Sequence, residues 1–316
     1  MPALDTETRS FERLSSLHLA KEMRESPDLA AACEHILRSG GKRLRPRFVE
    51  AASMAGPDPM APAVGRAAVA VEMFHCASLA HDDVIDDAAF RRGKETVSVR
   101  RGAIAAALTG GWLFGRSAMI AADCSASAAL RFSAAAARVC DGQMLEICDL
   151  FDPGRTEERY FEAIGGKTAT VFELSAALGA ELASAHSAAV ESAAECGWAF
   201  GIAFQILDDI SDLLESASTT GKQAGKDLLQ GVYTLPVIYA LEEAPELETV
   251  LAVGASSDSL SVVLHSIRRT NGFARALDSA KVYTDLARSQ ASTMTHGERL
   301  EDLINQALVV PLARLL

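Results

Sequence analysis

Two aspartate clusters carry the chemistry most open to reading in this chain: His81-Asp82-Asp83-Val84-Ile85-Asp86-Asp87 and Gln205-Ile206-Leu207-Asp208-Asp209-Ile210-Ser211-Asp212. Each contains Asp-Asp-x-x-Asp. Each follows an apolar run poor in glycine and proline that reads as helix, so the first and last aspartates of a motif project from one helical face. Carboxylates crowded in this way repel one another unless something strongly positive lies between them. A hard, oxygen-seeking Mg2+ that also holds substrate phosphates fits that need.

One such acidic run alone reads equally well as a solvated helix face. Two copies change the balance, because both sit in the most apolar parts of the chain, where unpaired carboxylates are costly to bury. The motifs lie far apart in sequence, so a shared metal site requires them to meet by packing, as in sites built from facing helices of a bundle. Such a site could hold more than one Mg2+ with a diphosphate, which the metals make a better leaving group.

Basic residues form islands rather than an even scatter. Lys42, Arg43, Arg45 and Arg47 make one, and Arg91, Arg92 and Lys94 another, in a 316-residue chain of net charge -12. That balance disfavours a nucleic-acid binder, whose footprint is basic, and equally disfavours anionic membrane surfaces. Local cations on an acidic protein suit a small anionic ligand. The six cysteines show no metal-ligand spacing and several fall in apolar helical runs, so buried free thiols in a reducing compartment are expected. The first 17 residues mix acids with bases and contain no apolar core of a signal peptide. With no uncharged stretch of roughly 18 apolar residues, the chain is expected to lack a transmembrane segment and to be cytoplasmic.

The elements that must position these groups are helical throughout. Hydrophobic residues make up 49% of the chain, and alanine dominates 103–107, 126–137 and 176–194, which favours helix over strand. Helices are expected over 10–38 with a break at Ser26-Pro27-Asp28, over 48–55 with Pro46 in the first turn, and over 62–87. Further helices follow over 103–122, 128–151, 158–183, 188–214 and 235–243, with more amphipathic ones in 260–316. Nothing alternates at period two long enough for a sheet. The segment 216–223 reads as a loop. An all-α protein is expected, with one large helical domain over 1–316.

Taken in order, Gly40-Gly41-Lys42-Arg43-Leu44-Arg45-Pro46, His75, Asp82-Asp83-x-x-Asp86 with Arg91-Arg92-Gly93, Lys167-Thr168, Phe204-Gln205-x-x-Asp208-Asp209-x-x-Asp212 and Gly221-Lys222 form a specific set. From about residue 30 to 245 the chain resembles the trans-isoprenyl diphosphate synthase (polyprenyl synthetase) family. The resemblance implies a bundle of mostly antiparallel helices around a deep central cavity, a homodimer, and two or three Mg2+ ions. It also implies condensation of isopentenyl diphosphate with an allylic diphosphate that ionises under Mg2+.

Residue by residue, the resemblance gives metal binding to Asp82, Asp86, Asp208 and Asp212, with Asp83 and Asp209 in support. It gives isopentenyl diphosphate to Lys42, Arg45, His75 and Arg92. The allylic diphosphate goes to Arg91, Lys167, Thr168, Gln205 and Lys222. Taken alone, His75 reads as a satisfied core histidine and each cation as a solvated surface charge; arginine forks and lysine point charges are nonetheless what a diphosphate needs. His81 has no assigned role beyond packing or hydrogen bonding near the site. Two departures stand out: Gly110-Gly111 where relatives have Gly-Asp, removing a carboxylate near the cavity, and Val232 where a basic residue commonly follows Gly231.

In such enzymes, side-chain bulk just upstream of the first motif limits product length. Ala77 and Ser78 are small, and Phe74 lies one turn deeper, about 4.5 Å further along the helix and roughly one isoprene unit. Facing the cavity, Phe74 stops growth at C20 or C25. Facing a neighbouring helix, it permits a longer product. The expected product is C20 or longer. The competing readings are a class I terpene synthase on the same fold, a noncatalytic subunit of a heterodimeric synthase, and a helical scaffold with acidic faces. The Lys42, Arg45 and Arg92 set argues against the first, and the presence of both motifs against the second.

Overall fold

The computed structural model describes residues 26–214, 225–256 and 258–315. Lys222, Gly221, the loop expected over 216–223 and the helix expected before Pro27 lie outside them. The chain divides into two compact units, one comprising Met1–Ser133 with Leu174–Val190 and the other Ala134–Glu173 with Glu191–Leu316.

The first unit contains α1 (Pro27–Leu37), α2 (Leu44–Ser53), α3 (Pro62–Ile85), α4 (Val97–Arg101) and α5 (Ala103–Cys124). It also holds the start of α6 (Ala126–Cys148). A hairpin of two-residue strands, Phe90–Arg91 paired with Lys94–Glu95, interrupts the helices. It was not foreseen, because strands this short carry no periodicity. Proline in the first turn starts α3, where its missing N–H costs nothing. Val69, Val71, Met73, Cys76, Ala77 and Ala80 are buried along it, so α3 is apolar on most sides and packs against α2 and α5.

The end of α3 shapes the first aspartate motif. Asp87 takes a left-handed conformation (φ 46°) where glycine is usual. Ala88 N–H donates to Asp83 O at 3.0 Å and Asp87 N–H to Val84 O at 3.4 Å, a Schellman closure that satisfies the last carbonyls.

The second unit holds most of α6, then α7 (Glu157–Ile164), a wide π-type turn over Gly165–Ala169, and the start of α8 (Thr170–Leu182). Most of α9 (Ser187–Leu214) follows, with the short α10 (Lys226–Leu229) and α11 (Leu235–Glu243). The single helix expected over 158–183 is thus two helices joined by a turn with one residue too many. Gly142 and Gly166 explain where the turn sits: a Cβ on Gly142 would lie 2.5 Å from Lys167 N, and one on Gly166 2.6 Å from Arg138 O. Only glycine lets α6 and the turn approach so closely.

Leu213, Leu228, Tyr233, Val237, Leu251 and Ile267 form a buried cluster that anchors the end of α9. Arg268 caps that end by donating to Leu213 O at 3.0 Å.

A count by length and composition differs from the uncharged-run reading of the sequence, and one expectation, that of buried cysteines, is corrected. Among the described residues, α3 and α5 are long and apolar enough to cross a membrane by length and composition. Alanine and the larger aliphatic side chains hold the average up despite the few charges. The apolar stretch of α3 is 72% buried within the protein, that of α5 only 33%. Of the cysteines, Cys33, Cys76 and Cys196 are buried as expected, whereas Cys140 and Cys148 are exposed on α6.

Candidate active site

The first unit gathers a cation-rich seat. The chain leaves α1 through Gly40 and Gly41, both at positive φ, and enters α2 after Arg43, itself left-handed at φ 48°. Gly41 suits its place by its backbone, at φ 122°, and lies close to Arg92, whose Nη1 would be 2.5 Å from a Cβ there. Arg92 in turn donates to Gly40 O, which ties the hairpin to this loop.

Arg43 is buried and donates to Glu72 at 2.5 Å and also to Leu37 O. It therefore stabilises the loop from inside, a role that reading it as one member of a basic island missed. A clue was available in Glu72, an acid placed mid-way along an apolar helix. One turn on from Glu72, His75 is surrounded by like-signed neighbours. Burial, then the charges of Arg45, Arg92, Arg91 and Arg43, push its pKa well below the ordinary range, so it is neutral at pH 7. Burial, with Arg92 acting in the same direction, lowers Arg45 to about 10, still charged at neutral pH. Lys42 is exposed at the rim of the loop.

Within the first motif, Asp82 and Asp86 are partly exposed and Asp83 is buried. Asp83 accepts from Arg91 Nε at 2.6 Å. Arg91, assigned by resemblance to a substrate, is in this structure the partner of the middle aspartate. His81 sits over Gly110, where any Cβ would collide with its ring, and its Nε2 lies 3.2 Å from Ala107 O. Gly111 is exposed, with open space where a side chain would begin. Upstream, Ala77 is buried and Ser78 donates to His75 O at 2.9 Å. Phe74 packs against Phe132 and Phe114, with ring centroids 5.0 and 5.5 Å away, so it faces neighbouring helices.

The second unit gathers carboxylates. Asp208 is exposed, Asp212 partly so, and Asp209 is buried. Asp209 Oδ2 accepts from Tyr160 at 2.6 Å and Oδ1 from Gln205 Nε2 at 2.7 Å. Gln205 Oε1 accepts from Thr168 Oγ1 at 2.8 Å, and Lys167 pairs with Glu146 at 2.5 Å. Thr168 and Gln205 are thus brought together with Asp209, as Lys167 is with Glu146. Tyr160, Glu146 and Asp227 were missed by sequence reasoning. Tyr160 and Glu146 carry no local signal, because each gains its role from partners distant in the chain, whereas Asp227 opens an Asp-Leu-x-x-Gly stretch in which sequence reasoning weighs only the residue after its glycine.

Burial pushes Asp209 up to about 7 despite its two donors, and the charges of Asp208 and Glu146 act in the same direction. Asp227 is raised well above the carboxylate range by burial and then by Asp212, Asp209, Glu146 and Asp208. Asp212 is also raised by burial, against the backbone N–H groups of Asp227 and Lys226.

Among the described residues, no group of three or more His, Cys, Asp or Glu side chains could hold a metal ion by itself. The donors nonetheless fit a hard divalent cation. They are all oxygen, and Mg2+ keeps several waters and takes one or two carboxylates plus substrate phosphates rather than a protein cage.

The polyprenyl synthetase family model matches residues 26–263. The chain belongs to the polyprenyl synthetase family. It is 37% identical over 262 residues to heptaprenyl diphosphate synthase component 2 of Geobacillus stearothermophilus, covering 82% of each chain. It is 36% identical over 270 residues to solanesyl-diphosphate synthase 2, chloroplastic, of Oryza sativa subsp. japonica, covering 83% of this chain and 67% of the relative. The crystal structure of a polyprenyl synthase from Caulobacter crescentus complexed with calcium and isoprenyl diphosphate superposes with a TM-score of 0.87 at 28% identity, covering 97% and 95% of the two chains. Membership in this family bears out the all-α isoprenoid synthase fold expected from the motifs.

Proposed function

We propose that the protein is a prenyltransferase that condenses isopentenyl diphosphate with an allylic diphosphate to give all-trans polyprenyl diphosphates of C20 or longer. The observation that carries this reading is the recurrence of one arrangement. In each Asp-Asp-x-x-Asp motif the middle carboxylate is buried and hydrogen-bonded, while the outer two reach toward solvent. Asp82, Asp86, Asp208 and Asp212 would hold two or three Mg2+ ions, which neutralise the departing diphosphate. Lys42, Arg45, Arg92 and neutral His75 would seat isopentenyl diphosphate.

The allylic C–O bond breaks and its electron pair leaves with the diphosphate. The double bond of isopentenyl diphosphate then forms the new C–C bond, and a proton is lost to restore an allylic alkene. Lys167 would hold the allylic diphosphate by leaving Glu146, and Lys222 would assist. Thr168, Gln205 and Arg91 act on that side through the partners they already hold.

Because Phe74 faces the rings of Phe114 and Phe132, the longer-product branch is favoured, and Ala77, one turn nearer the first motif, is a small residue. Purified protein with Mg2+, isopentenyl diphosphate and each of dimethylallyl, geranyl, farnesyl and geranylgeranyl diphosphates should yield products longer than C20. A77F should shorten them by one or more isoprene units. Absence of elongation from every primer would refute the function, and an unchanged product in A77F would refute the length argument.

We further propose a cytoplasmic homodimer and one functional domain. Exposed Ile104, Leu108 and Met119 share one face of α5 with Gly111 and Gly115, an apolar stripe of the kind a partner covers. Light scattering on the purified chain should give twice the monomer mass. The relative named component 2 supports a second reading, in which an unlike subunit covers this face. A monomer that dimerises or gains activity only with such a subunit would favour it.

A further inference from the structure

Tyr160 lies on α7, in a stretch without any motif, and is 1% exposed. Its hydroxyl begins a chain of three hydrogen bonds. Tyr160 donates to Asp209 Oδ2, Gln205 Nε2 donates to Asp209 Oδ1, and Thr168 donates to Gln205 Oε1, at 2.6, 2.7 and 2.8 Å. With Asp209 ionised, the directions follow from chemistry: a carboxylate only accepts, so Gln205 turns its NH2 toward Asp209 and its oxygen toward Thr168. The phenol ring is held independently, edge-on to Phe161 with centroids 5.5 Å apart and with the Arg155 guanidinium 5.5 Å from the ring centre.

We infer that Tyr160 is a positioning residue for the second aspartate motif, holding Asp209 inward so that Asp208 and Asp212 are presented together. Successive residues of a helix turn by about 100°, so Asp208 and Asp212 both fall on the same flank of Asp209, about 40° apart. Pinning Asp209 from two sides therefore sets the direction of the outer pair. Asp209 spends both oxygens inside the protein and serves as the pivot, while its neighbours face outward. The inference rests on the reading of Asp208 and Asp212 as metal carboxylates.

The test compares Y160F, D209N and D208A by the thermal shift that Mn2+ with inorganic pyrophosphate produces, alongside steady-state kinetics. Y160F keeps the ring and loses one hydrogen bond to a charged group. Its half-saturating metal concentration should rise about tenfold and kcat fall by a similar factor, with KM for isopentenyl diphosphate unchanged. That split is not what a general loss of stability produces. D209N keeps an acceptor for Tyr160 and should bind metal with pyrophosphate within about threefold of the unaltered protein. It also keeps the test open should Y160F fold poorly.

D208A should abolish the thermal shift. If D208A responds normally, the metal reading itself fails. If D208A is silent, a Y160F of unaltered metal response, or a D209N as silent as D208A, overturns the positioning role.

Discussion

The two aspartate motifs bury their middle carboxylates to the same degree, Asp83 and Asp209 each at 4% exposure, and hold them by different means. Asp83 lies against a formal positive charge, Arg91, at 2.6 Å. Among the described residues, the donors to Asp209 are neutral, a phenol and an amide. Two hydrogen bonds do not offset its desolvation, and its pKa rises to about 7. Among the described residues, the middle carboxylate of the first motif is thus held by a cation and that of the second by neutral groups.

The comparison can be broken most easily at the outer carboxylates. D82A and D208A should each lower turnover by about a thousandfold, some 4 kcal/mol of barrier, with circular dichroism unchanged. Near-normal activity in either would remove that motif from the metal site. Next in size is the Arg91–Asp83 pair. R91Q should destabilise the fold by about 2 kcal/mol, less than for a wholly buried pair because Arg91 is partly exposed, and D83N in the same chain should recover part of the loss. Denaturant melts of the two single variants and the double would show it, and strictly additive losses would mean that the pair is not coupled.

A subtler difference concerns pH. An unfolded aspartate releases its proton near its ordinary 3.8, whereas folded Asp209 keeps it to about 7. The folded, metal-free chain thus holds more protons between those values, and stability falls as pH rises through that window. Asp212 and Asp227 shift in the same direction. The melting midpoint of metal-free protein should drop from pH 5 to pH 7, and D209N should flatten that slope. A slope identical in D209N would show that Asp209 is not the group that titrates. The smallest effect belongs to the outermost hydrogen bond of the chain through Gln205: T168V should lower kcat about threefold, and T168S should retain it.

Much of this could be read from residue order. Alanine-rich, glycine-poor runs gave helix positions within a few residues, including 235–243 and the two helices that carry the aspartates, because apolar periodicity and proline or glycine breaks are local signals. The cations around His75 were legible as islands. Their internal division was not. Arg43 and Arg45 differ by two positions, yet Arg43 points inward to Glu72, a choice set by its left-handed backbone and by a helix elsewhere in the chain. Tyr160 likewise looks like any aromatic of a short amphipathic helix until α9 supplies Asp209. The orientation of Phe74 needed the rings of Phe114 and Phe132 before it could be settled.

The wide turn at Gly165–Ala169 holds one residue more than a regular helical turn, and the extra width absorbs it so that α7 and α8 stay in step. Deleting Gly166 would close the segment into ordinary α-helix and leave the flanking helices in register, so the damage would fall on the turn itself. The residue that slid into the place of Gly166 would bring a Cβ to a point 2.6 Å from Arg138 O, where α6 leaves no room. A single-codon deletion would thus press the turn away from α6 and strain the holds of Lys167 on Glu146 and of Thr168 on Gln205, while Tyr160, upstream, stays on Asp209, making the turn a fitted spacer for this half of the molecule.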